Sequence, residues 1–85
     1  MEEKLVKYLE NKNIEELAGL RAITSSIVGD YDKTLTTYAT LNDDKAFLRM
    51  PQEIKDMHEK RNKLHGLLMK INSIIEDKLF KLYLQ

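Results

Sequence analysis

Apolar residues recur along most of this chain at three- and four-residue spacings, the interval at which side chains line one face of an α-helix. Leu5, Val6 and Leu9, with Tyr8 beside them, mark a short first helix over residues 2–10. The polar stretch "NKN" interrupts it. Asn13 reads as the N-cap of a second helix starting at Ile14, with Glu15 and Glu16 in the first turn and Glu16 at the capping-box position. From there Leu17, Leu20, Ile27 and Val28 define one stripe at about 100° per residue, and Tyr31, Leu35 and Tyr38 continue it. Thr24 sits in the middle of the stripe.

Gly29 and Asp30 together resemble a stop signal, a glycine C′ residue followed by a new cap. Phase decides against a stop, because Tyr31, Leu35 and Tyr38 keep the alignment set by Leu17 and Val28. The pattern therefore predicts one continuous helix over 14–41, about 40 Å long at 1.5 Å per residue.

Residues 42–50 read as a turn region, since Asn42, Asp43 and Asp44 are turn or cap types and Pro51 bars helical geometry at Met50. A brief helical turn over 44–49 fits within it. Pro51 suits the first position of a third helix, 51–84, with Glu53 near its positive end. Its stripe runs through Ile54, Met57, Leu64, Leu67 and Leu68, then through Ile71, Ile75, Leu79 and Leu82. No strand pattern or internal repeat competes. The expected fold is all-α and a single domain: a short N-terminal helix, then a long antiparallel helical hairpin, assembled as an oligomeric helical bundle.

The oligomer expectation comes from the other face of the second helix. A surface helix should carry charge opposite its apolar stripe. Here the positions opposite are small: Ala18, Ala22, Ser25, Ser26 and Gly29, with Gly19 beside them and Glu15 and Lys33 the main charges. Ala18, Ala22 and Ser26 recur every four residues and form a shallow ridge on which another helix could pack closely. Ala18, Ala22, Ser26 and Gly29 are the expected self-association residues. The first helix is too short to shield the whole face. A second irregularity is the C-terminal "DKLFKLYLQ", where Phe80 and Leu84 point away from Leu79 and Leu82. One core cannot take both sides, so either the end frays or Phe80, Tyr83 and Leu84 form an exposed patch that docks on a partner; these three are the expected partner-binding residues.

Composition narrows the chemistry. The chain has 85 residues, one third of them charged, with 14 basic and 14 acidic residues in balance. No global field recruits nucleic acid, an acidic membrane or a polyanionic substrate. There is no cysteine, which removes disulfides, thiolate catalysis and Cys-based zinc, and fits a cytoplasmic setting. The N-terminal "MEEKLVKYLENKN" alternates charge with apolar residues; it reads as neither a signal peptide nor a membrane span, and the mature chain is expected to begin there.

Candidate catalytic groups are few. His58 and His65 lie about 10 Å apart along a helix and cannot share a metal, and Asn62 stands where an H-E-x-x-H motif needs its second histidine. The calcium-loop-like segment from Asp30 has Leu35 at the glycine position and Leu41 at the closing acid. Ser25 and Ser26 have no base nearby in sequence. No metal or cofactor is expected. On the third helix Asp56 precedes Lys60, Glu59 precedes Lys63 and Asp77 precedes Lys81 by four residues; such internal pairing speaks against a nucleic-acid face. The stretch "ELAGLRAI" resembles the opening of the all-α chorismate mutases over those residues alone. Thr24, Ser25 and Ser26 follow where that family carries acidic residues, so the chain is not assigned to it.

The expected function is that of a non-enzymatic protein–protein interaction module, an adaptor, chaperone or inhibitor, acting through helix faces on itself and on another protein. The alternative is an oligomer that binds a small anion or nucleotide in a pocket lined by Tyr31, Tyr38, Arg61 and Lys78, the last two being cations within or beside the apolar stripe that need acceptors. A small all-α enzyme is the third reading.

Overall fold

Asn13 sets where the hairpin begins. Its side-chain Oδ1 accepts a hydrogen bond from the Glu16 backbone N–H (2.8 Å), its own N–H donates to Glu16 Oε1 (3.3 Å), and its carbonyl accepts from Leu17 N–H. This reciprocal capping box satisfies donors that a helix N-terminus leaves unpaired. In the computed structural model, which describes residues 2–42 and 51–84, the elements are α1 (Glu2–Glu10), α2 (Ile14–Asn42) and α3 (Gln52–Leu84). Among the described residues there is no strand. The expected turn region lies outside the described residues except for Asn42, which closes α2, and Pro51. Pro51 is the cap of α3 rather than its first residue, its carbonyl accepting from Ile54 and Lys55 N–H.

Helix α2 runs unbroken through Gly29, which has no left-handed backbone and would meet no neighbour if it carried a Cβ. It pairs with α3 as an antiparallel hairpin: Leu17 packs with Ile71 and Ile75 at one end, and Asp32 meets Arg61 further along. Leu9 of α1 inserts into the first of these contacts, with Leu5, Leu20, Leu67 and Ile74 packed around it. Val28 and Leu35 extend the buried line along α2. Thr24 is buried within that line, its hydroxyl donating to the Leu20 carbonyl (2.7 Å), so a polar group is accommodated with its hydrogen bond made.

Three stripe positions depart from expectation. Ile27 is 39% exposed, because it lies about 80° from the Leu17–Leu35 line and falls on the shoulder of α2. Leu79 and Leu82 are at least half exposed despite correct phase. The last internal tie of α3 is Lys78, whose Nζ donates to the Glu10 carbonyl (2.8 Å) at the end of α1. Beyond that level the large apolar side chains of α3 are all at least half exposed, and the helix continues about 9 Å further to Leu84.

Candidate interaction surfaces

The projecting end of α3 is apolar on most of its circumference. Phe80 is 66% exposed, Tyr83 88% and Leu84 73%, and with Leu79 and Leu82 they leave Lys81 as the only charge after Lys78. Five large apolar side chains are presented to water at this one helical end. The residues expected to bind a partner thus come together at one tip of the molecule, joined there by Leu79 and Leu82.

The small-residue face of α2 is open. Ala22, Ser26 and Gly29 are exposed and Ala18 is half-buried, and the space above Gly19 and Gly29 is empty. Helix α1 lies elsewhere: it packs on α3, and Tyr8 and Lys12 line a shallow groove with Gly19, Leu20 and Ile23 of α2, Lys12 Nζ sitting 4.7 Å from the Tyr8 ring centre and 3.6 Å from Glu16. Exposed Ile23 lines this groove on the same side of α2 as Ile27, and is not one of the expected site residues. Its signal was in the sequence, since an isoleucine about 120° off the main stripe has no place in a single core.

The four residues of the alternative anion pocket are not gathered in one place. Arg61 forms a two-pronged contact with Asp32, Nε to Oδ1 at 2.7 Å and the second guanidinium nitrogen to Oδ2 at 3.4 Å. Lys78 caps α1 through the Glu10 carbonyl. Seventeen residues of α3 separate the two cations, about 25 Å along the axis. Tyr31 and Tyr38 are half-buried on the side of α2 away from Asp32. A shallow groove beside Arg61 is lined by Asp32, Thr36, His58 and Asn62, with the cation already neutralised.

Surface charge is partly paired within the chain. Of the three acid-first pairs expected on α3, Glu59–Lys63 forms at 3.0 Å, whereas Asp56 accepts instead from the Gln52 amide and Asp77–Lys81 does not close. Exposed pairs of this kind are held weakly, which is why spacing alone does not decide them. Among the described residues no three His, Asp or Glu side chains converge as a metal site, and no helix is long and apolar enough to cross a membrane. The chain matches no protein-family model, no curated protein and no solved structure.

Proposed function

We propose that the protein is a non-enzymatic interaction module that docks another protein on the apolar tip of α3 and associates with itself through α2. The observation that carries this reading is the continuation of α3 past its last internal tie, with Phe80, Tyr83 and Leu84 exposed at the end. Chemistry gives the competing readings less support, because the cations near the core are already engaged, Arg61 by Asp32 and Lys78 by the α1 carbonyl. An adaptor, chaperone or inhibitor of cytoplasmic type fits such a surface; each works by covering or holding a partner's apolar segment.

The test is the double variant Phe80→Asp, Tyr83→Asp. Neither side chain contributes to the buried core, so the melting temperature should hold within a few degrees. A partner recovered from the native host on immobilised wild-type protein should be lost on the variant. Equal recovery on both would remove the α3 tip as the docking surface.

A further inference from the structure

We infer that the outward face of α2 is the contact surface for a second copy of this chain, docked antiparallel so that Glu15 of each copy meets Lys33 of the other. The inference deepens the self-association part of the reading above and makes no use of the α3 tip. Glu15 and Lys33 are exposed, and neither makes an ion pair with a described residue. They are eighteen residues apart, five turns at 3.6 residues per turn, so they stand on one line parallel to the helix axis. Between them that face carries Ala18, Ala22, Ser25, Ser26 and Gly29, with exposed Asp30 as the charge at its edge.

A helix face of small residues with an acid at one end and a base at the other is complementary to itself in one orientation, and in that orientation Asp30 at its edge comes level with Ala18 of the partner subunit and with no like charge. In a parallel pair Glu15 would face Glu15 and Lys33 would face Lys33. In an antiparallel pair both ends become attractive, and the two-fold axis falls level with Thr24, midway between them. Ala22 then comes opposite Ser26 of the partner subunit, and Gly19 opposite Gly29 of the partner subunit. These are the residues whose size lets helix axes approach closely, along about 27 Å of contact. The interface is isologous, so each residue is used twice, as a closed dimer requires. Helix α1 and the hairpin core remain undisturbed, because α1 packs on α3 and comes beside α2 only at the groove between Tyr8, Leu20 and Ile23, with Gly19 at the edge shared with this face.

The experiment is sedimentation equilibrium of the wild type, Glu15→Lys, Lys33→Glu, the double reversal, and a mixture of the two single variants. Wild type should dimerise. Each single reversal turns two attractive contacts into repulsive ones and should weaken dimerisation about tenfold, an effect that added salt reduces. The double reversal should restore the affinity. The mixture should form a heterodimer in preference to either homodimer, and this arm holds even though Glu15→Lys also removes an acid from the first turn of α2. A wild type that stays monomeric at high micromolar concentration would overturn the inference and leave this face to another chain or to solvent. So would a dimer indifferent to both single reversals, or a double variant as weak as the two losses combined. Loss of dimerisation in the α3-tip variant together with a dimer indifferent to the charge reversals would instead displace the self-association surface to the tip.

Discussion

At the scale of single residues, polar side chains fix the ends of the helices and the register of the hairpin. The Asn13–Glu16 box was legible because its spacing is local: an Asn followed three residues later by Glu, immediately before an apolar stripe. Asn13→Ala removes the acceptor for the Glu16 N–H and should cost about 1 kcal/mol, a fall of several degrees in melting temperature for a chain of this size. Thermal denaturation followed by circular dichroism measures it; an unchanged midpoint would show that water replaces the cap without loss. The partner of Arg61 was not legible. Asp32 is separated from it by 29 positions, and only the antiparallel register of α2 and α3 brings the guanidinium within 2.7 Å of that carboxylate. The sequence pattern told only that a cation beside an apolar stripe needs an acceptor.

Among the elements, α1 is the one most dependent on its neighbours. Nine residues are too few for a stable isolated helix, so its order comes from packing. Leu9 supplies that packing by burying against Leu17, Ile71 and Ile75, and Lys78 binds the Glu10 carbonyl at its end. Leu9→Ala should destabilise by about 2–3 kcal/mol and release α1 first. Hydrogen exchange should then show amides of residues 6–10 losing protection while the middle of α3 keeps it; uniform loss along the chain would mean that α1 and the hairpin open as one unit. Periodicity was enough to place all three helices and to carry α2 through Gly29, because each long helix holds a single phase. It could not place Leu79 and Leu82 correctly. Phase says which side of α3 faces a partner helix, not how far that partner reaches, and Leu79 and Leu82 lie past Lys78, where α3 is tied to the end of α1.

For the molecule as a whole, the hairpin buries little. Its radius of gyration is 16.7 Å, against about 12 Å for a compact chain of this length, and its extents are 55 × 24 × 17 Å. Among the described residues the buried apolar side chains are Leu9, Leu17, Val28, Leu35, Ile71 and Ile75, a single file rather than a filled interior. Small domains are marginal even when compact, so a chain this elongated gains from every surface that association covers. The blandness of residues 18–29 was legible as an anomaly, since a charged chain has no reason to leave twelve residues with Arg21 as their one charge. What lies over that face could not be read, because the path of α1 depends on Leu9 finding the Leu17–Ile75 pocket on the other side.

The most direct measurement of this account is the mass and melting temperature of wild type, Ala22→Leu and Ala22→Glu, compared across protein concentration by light scattering and circular dichroism. Ala22 is exposed within its own chain, so neither change disturbs the hairpin itself. In a close α2–α2 contact, leucine should cost about 1–3 kcal/mol by forcing the backbones apart, and glutamate should bury a carboxylate without a partner. The account predicts a wild-type dimer whose melting temperature rises with concentration, and two helical variants that are monomeric with a melting temperature independent of concentration. A monomeric wild type, or variants that keep the wild-type mass and midpoint, would contradict it.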